Sequence, residues 1–153
     1  LGMCRFVPEK NLHHLVEAFA KAEHKDCKLV LAGDTDFEDD YSRGLKKMAR
    51  ENGVVLTGFV KGRKLHSLLT NCRCYCLPSS HEGLPISLLE AMSYSVPVVV
   101  SNIPANLEAL CDKLTDILSQ DHYRVSYDMS KYDWNHIATQ VAEVYQAMEK
   151  ERR

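Results

Sequence analysis

Val96-Pro-Val-Val-Val100 is apolar along its whole length, with no polar face to turn to water. A run of that kind belongs in a parallel strand covered on both sides. It is the fifth of a series. Met3 to Val7, Lys28 to Ala32, Val54 to Thr57 and Arg73 to Leu77 read as earlier strands. Between them lie stretches with helical periodicity, about Asn11 to His24, Tyr41 to Asn52, Lys61 to Asn71 and Pro85 to Tyr94. In the first of these Leu12, Leu15, Val16, Phe19 and Ala22 share one face, and Gly53 supplies the stop of the second. Strand and helix in strict alternation predict an α/β fold, a doubly wound parallel sheet with helices on both faces. In the order 3-2-1-4-5 the winding reverses between the first and fourth strands, and ligands bind outside the carboxyl ends of strands at such a point.

The two loops meeting there carry Arg5 and Lys10 on one side and Ser79 to Pro85 on the other. The second belongs to Leu77-Pro-Ser-Ser-His-Glu-Gly-Leu-Pro-Ile-Ser-Leu-Leu-Glu90, which runs from strand end through small residues into a helix. Pro85 suits the first helical turn, where its missing N–H costs nothing. Gly83 lets backbone amides approach a ligand, so an anion such as phosphate belongs near Gly83 and Leu84. Two acids bracket the turn, Glu82 in the loop and Glu90 on the helix. Seven helical steps from Gly83 to Glu90 cover roughly 700° and rise roughly 10 Å, so both acids can face one cleft. A diphosphate held between Arg5, Lys10 and the helix tip would be gripped from both sides by charge-assisted bonds.

The 153 residues fit one domain with its own core, and a net charge of −2 argues against a nucleic-acid surface. No apolar run reaches the length of a membrane span, and no signal peptide is visible, so a cytoplasmic protein is expected. Six cysteines occur, Cys72, Cys74 and Cys76 alternating as small buried hydrophobes on one strand face; reduced thiols are expected. Neither cysteine nor histidine spacing matches a zinc site. The acidic run Asp34 to Asp40 misses the calcium-loop register, with Asp39 where glycine is required and Leu45 where glutamate should close it. A dehydrogenase is disfavoured, because no G-x-G-x-x-G follows the first strand. Beyond Ser101 the pattern thins; helices are expected from Pro104, over Asp112 to Ser119, and from Tyr132 to Arg153, the last with a stripe of Ile137, Val141, Val144, Tyr145 and Met148.

Together, Arg5-Phe-Val-Pro-Glu-Lys10, Ala32-Gly-Asp34, Leu56-Thr-Gly-Phe-Val60, the Leu77 to Pro85 loop, Glu90-Ala-Met92 and Pro97-Val-Val-Val-Ser-Asn-Ile-Pro104 resemble one family. It is the retaining glycosyltransferases of the two-domain GT-B type, family 4 (glycosyl transferases group 1), in their C-terminal nucleotide-sugar-binding domain. The resemblance implies a Rossmann-like sheet and transfer of a sugar, with retention, from a nucleotide diphosphate sugar to a glycan, lipid or polysaccharide-precursor acceptor. It implies that Arg5 and Lys10 neutralise the diphosphate and that Glu82 meets the transferred sugar, with His81 beside it. Gly83, Leu84, Pro85 and Ile86 would present backbone to sugar and phosphates, Glu90 would take the ribose hydroxyls, the Phe59-Val60 loop would pack on the base, and Gly33 would belong to the donor-binding set. No metal or other cofactor is expected, since Arg, Lys and helix amides supply the positive field. The partners implied are the nucleotide sugar and an N-terminal acceptor domain that precedes residues 1–153, with membrane contact through that half alone and no nucleic acid.

Three departures from the family pattern stand out. Cys4 occupies a position that is often glycine, beside Arg5. Ser95 replaces the glycine that usually ends the helix, a left-handed position costing roughly 1 kcal/mol. The strand and Gly-Asp loop expected after about Leu110 are absent, and a short missing segment near 110–113 is the expectation. Two other functions fit the same pattern: a nucleotide-sugar binding module without turnover, and a sugar-nucleotide epimerase or phosphorylase on the same scaffold.

Overall fold

The computed structural model describes residues 1–22, 26–101, 118, 124–133, 138, 139 and 142. Strand and helix alternate as β1 (Gly2–Met3), α1 (Leu12–Lys21), β2 (Val30–Ala32), α2 (Asp40–Glu51), β3 (Val55–Gly58), α3 (Arg63–Asn71), β4 (Tyr75–Leu77), α4 (Ile86–Ser93) and β5 (Val98–Val100). One parallel ladder has the order β1-β2-β3, with Gly2 opposite Leu31 and Leu31 opposite Leu56; a second joins β4 to β5, with Cys76 opposite Val99. Leu1 links the two, its amine donating to the Cys74 carbonyl and its carbonyl accepting from the Cys76 amide, both at 2.8 Å. The strand order is therefore 3-2-1-4-5, with the reversal between β1 and β4.

Alternation along the fourth strand shows why the sheet is covered on both sides. Successive side chains of a strand point to opposite faces. Cys74 and Cys76 enter a core with Leu12, Leu15, Val16, Leu31, Leu45 and Ala49, beneath α1 and α2. Tyr75 and Leu77 enter another with Leu69, Ala91 and Val96, beneath α3 and α4. Cys72 lies at the end of α3 and packs in this second core, so the three cysteines do not share one face as the alternation suggested. Each fully buried Leu or Val contributes about 1.5–3 kcal/mol by leaving water.

Local signals set the helix ends. The Asp39 carboxylate accepts from the Ser42 amide at 2.7 Å while the Asp39 amide donates to Ser42 Oγ at 2.9 Å, a reciprocal cap that starts α2. Gly53, at φ 67°, follows its end. The first regular strand is shorter than expected: backbone bonds continue past it, from the Cys4 amide to the Ala32 carbonyl and from the Phe6 amide to the Asp34 carbonyl, before the chain turns into a 3₁₀ segment at Pro8–Lys10. Helix α4 starts later than its proline suggested: Pro85 caps it with ψ 103°, an extended value, so helical geometry begins at Ile86.

The return segment is tied to the α3–α4 side, Arg124 donating to the Cys72 and Thr70 carbonyls at 2.8 and 2.6 Å and Tyr127 to the Val96 carbonyl at 3.1 Å. Ser130–Tyr132 is a 3₁₀ turn and Asp133 is extended, so no helix begins at Tyr132. The expected helices at Pro104 and at Asp112 to Ser119, the apolar stripe from Ile137 to Met148 and the missing segment near 110–113 lie outside the described residues, apart from Leu118, which is helical and buried. Among the described residues no helix is long and apolar enough to cross a membrane.

Candidate functional site

At the reversal the loop after β1 and the loop after β4 are stitched together residue by residue. Asn11 Nδ2 donates to the Pro78 carbonyl at 3.2 Å, and the Ser80 amide and Oγ donate to the Glu9 carbonyl at 2.9 and 3.2 Å. Asn11 reaches across from a left-handed position, φ 48°, between the 3₁₀ turn and α1. Lys10 Nζ sits 2.8 Å from Glu82 Oε1, and Ser79 Oγ donates to the same oxygen at 2.6 Å. Buried Ser79 in turn accepts at its carbonyl from Ser101 Oγ, beyond β5. Glu82 is thus held by two donors on Oε1, with Oε2 unpartnered among the described residues.

Beside this pair opens a cavity of about 400 Å³, lined by the ends of β1 and β2, the start of the β3–α3 loop and one face of α4. Arg5, Gly33, Phe59, Val60, Ile86 and Glu90, all expected at the site, line it together. Its size is that of an ordinary small-molecule pocket. Arg5 is exposed, and neither its guanidinium nor the Glu90 carboxylate has a partner among the described residues. No side chain caps α4 and no acid lies in its first turn, so the first amides of the helix remain available to an anion.

Glycine is needed at Gly33 for two reasons. Its φ is +134°, and a Cβ there would lie 2.0 Å from the Cys4 carbonyl oxygen. Cys4 itself lines the cavity, and burial pushes its thiol up to about 12, with the Lys10 ammonium opposing the rise and Glu82 and Glu9 adding to it. At neutral pH it is a thiol, not a nucleophile. Behind it the Tyr75 hydroxyl donates to the Met3 carbonyl at 3.2 Å and lies 2.7 Å from Ser87 Oγ, tying α4 to β1. Burial raises this phenol above its ordinary value.

Not every expected residue comes to the cavity wall: Lys10 and Glu82 lie near its Cys4 side but do not line it. His81 is exposed, its Nδ1 3.1 Å from Ser80 Oγ, and it does not line the cavity. Gly83, Leu84 and Pro85 bridge from Glu82 to α4 outside the lining, with Leu84 62% exposed. Since α4 begins at Ile86, the seven steps from Gly83 to Glu90 are not all helical; an extended loop supplies part of the span. Met3, Ala32, Lys61, Leu65 and Ser87 line the cavity without having been singled out. Ser87 was legible, since it lies three residues before Glu90 and shares its helix face. Lys61 was legible through its position directly after Phe59-Val60. A second cavity of about 370 Å³, lined among others by Leu15, Phe19, Cys27, Cys72 and Leu118, lies at the amino ends of the strands, away from both acids.

The pattern of the glycosyl transferases group 1 family matches residues 2–127. An uncharacterized glycosyltransferase of Methanocaldococcus jannaschii is 29% identical over 171 residues, covering 95% of this chain and 44% of the relative. The O-antigen chain mannosyltransferase B of Escherichia coli is 26% identical over 166 residues, covering 92% and 44%. The chain thus spans less than half the length of these relatives. Among solved structures, Anabaena HepE in complex with UDP and glucose superposes with a TM-score of 0.82 at 21% identity, over 95% of this chain and 47% of that one, and shares the fold.

Proposed function

The chain belongs to the glycosyl transferases group 1 family, and we propose that it is the nucleotide-sugar-binding, C-terminal domain of a retaining glycosyltransferase. The observation that carries this reading is the convergence of Arg5, the Lys10–Glu82 pair and the uncapped start of α4 on the two sides of one strand-order reversal, beside a cavity holding Glu90. Arg5, Lys10 and the helix amides form the positive field for the donor's diphosphate and for the leaving nucleoside diphosphate. Glu90 takes the ribose hydroxyls, and Phe59 and Val60 form the wall for the base. Glu82 then faces the transferred sugar, where its carboxylate stabilises the positive charge that develops as the glycosidic bond breaks. The leaving phosphate assists deprotonation of the acceptor, and no metal is required for any of these roles.

The acceptor, a glycan, lipid or polysaccharide precursor, belongs to the rest of the enzyme, in keeping with a chain that spans under half of its relatives. The chain alone is therefore expected to bind the nucleotide sugar without transferring the sugar. The test is calorimetric titration with UDP, GDP and ADP and their sugars. Saturating nucleotide, at 100 times its Kd, stabilises the fold by about 2.7 kcal/mol. Glu90→Ala is expected to weaken binding of nucleotides while leaving the melting of the free chain unchanged. Failure of every nucleotide to bind, or binding indifferent to Glu90, would remove this reading of the cavity.

A further inference from the structure

We propose that Lys61 sets the choice of nucleobase, favouring bases that present a carbonyl oxygen (uracil, guanine) over adenine. This rests on the cavity being the nucleoside site. The cavity is chemically two-ended. Arg5, Glu90 and the first amides of α4 lie toward β1 and α4, while the other wall is Phe59, Val60 and Leu65. Phe59 is 60% exposed, an aromatic ring left open beside a cavity, which suits stacking of a flat heterocycle. On this wall Lys61 is the single residue with a charged side chain.

Nothing in the fold accounts for a cation at this position. Lys61 is exposed and makes no ion pair or side-chain hydrogen bond among the described residues. It immediately precedes Gly62, which caps α3 at φ 56° and ψ −131°, and Arg63 and Lys64 follow in the first turn with no acid among them. The amino end of a helix is its positive end, so three cations there oppose the helix dipole rather than complement it. The backbone at Lys61 is meanwhile set by a turn that only glycine adopts readily, which aligns the residue with the cavity wall formed by Phe59 and Val60.

An ammonium group has three donors and no acceptor. Uracil and guanine offer it a carbonyl oxygen at the base edge; adenine presents an amino group there, itself a donor. A lysine against adenine loses water without gaining a bond at that position. The discrimination expected from one hydrogen bond to a charged group is about tenfold.

The experiment is calorimetric titration of the chain and of its Lys61→Met variant with UDP, GDP and ADP, and with uridine and adenosine. The substitution keeps the length of the stem at an exposed site, and circular dichroism checks that the fold is retained. The wild type is expected to bind UDP and GDP about tenfold more tightly than ADP, and uridine more tightly than adenosine. Lys61→Met should erase that preference with ADP affinity unchanged. Equal weakening of all three diphosphates, with uridine and adenosine unaffected, would put Lys61 on the phosphates and overturn the proposal; so would an unchanged variant, or a wild type that prefers ADP. Binding of all three without discrimination removes the role of Lys61 and leaves the nucleoside site standing. Binding of none removes both.

Discussion

Lys10 Nζ lies 2.8 Å from Glu82 Oε1 across 72 residues of chain, and this pair spans the one place where the winding of the sheet reverses. Each partner sits on a loop that a strand has delivered to the same edge, and the loops are also bonded to each other elsewhere, the Ser80 amide to the Glu9 carbonyl and the Asn11 side-chain amide to the Pro78 carbonyl. The pair therefore does not have to hold the loops together. It keeps an acid and a cation opposed and ready, with Oε2 of Glu82 left for a further partner.

Lys10→Met is expected to change stability little and ligand binding much. The two side chains are 17% and 25% exposed, and pairs that are partly open to water contribute at most about 1 kcal/mol. The same ammonium facing a diphosphate makes a charge-assisted bond, so the Kd for a nucleoside diphosphate should rise about tenfold while that for the nucleoside does not. Urea melts with paired titrations measure both. A large loss of stability with unaltered diphosphate affinity would make Lys10 a structural residue only.

Gly33→Ala is expected to unfold the chain or come close. Its Cβ would meet the Cys4 carbonyl oxygen at 2.0 Å, a backbone atom fixed by the ladder, and φ of +134° is strained for any residue with a side chain. The cost should be at least about 3 kcal/mol, far above that of an ordinary surface substitution. The urea midpoint of the variant measures it, and a midpoint equal to that of the wild type would contradict the close approach of the β1 and β2 ends. Substitution at Gly83, which has open space around it and no positive φ, should leave the midpoint in place.

Side-chain period and apolar runs carried the architecture, because a parallel strand buried on both faces must be apolar throughout and an amphipathic helix must cover it. The site was legible for a related reason: once the strand order is known, Arg5, Lys10, Glu82 and Glu90 have only one edge to share. What the pattern did not carry was geometry set by single dihedral angles. Pro85 fits either the first helical turn or the cap, and only its ψ distinguishes them. His81 adjoins Glu82 in sequence, yet its ring is exposed beside Ser80 and stays off the cavity wall. The cap of α2 by Asp39 and Ser42 was hidden in an acidic run whose composition suggested only solvation.

Stability should fall at both ends of the pH range through one lysine. Lys46 Nζ lies 2.8 Å from Asp34 Oδ1 and 2.6 Å from Glu38 Oε1. The bond from Lys46 holds the Asp34 carboxyl below its ordinary value of 3.8, and the bonds to Asp34 and Glu38 hold the Lys46 ammonium above its ordinary 10.5. A depressed acid stabilises fully above its unfolded-state value and loses that contribution as pH falls through the folded one. A raised base stabilises fully below its unfolded-state value and loses it as pH rises through the folded one. The plateau therefore lies between about 3.8 and 10.5 for this cluster, and Lys46→Met should flatten both of its flanks in a series of urea midpoints against pH. Flanks identical to those of the wild type would assign the pH dependence to other groups.

Ser95→Gly is expected to stabilise the chain. Ser95 ends α4 at φ 58°, in the left-handed region, where a residue with a Cβ costs about 1–2 kcal/mol more than glycine. Glycine also gives the unfolded chain more freedom, which offsets about 0.4–1 kcal/mol of the gain. The net stabilisation is about 0.5–1 kcal/mol, or a rise in Tm of about 2 °C for a domain of this size. Nothing is lost from the fold, because the interactions made here, the Ser95 amide to the Met92 carbonyl at 2.9 Å and the Val125 amide to the Ser95 carbonyl at 3.0 Å, belong to the backbone. Ser95→Ala is the control: it keeps the Cβ and therefore the strain, and should not raise Tm. A gain from alanine equal to that from glycine would mean that the serine hydroxyl, not the backbone angle, is what burdens this turn.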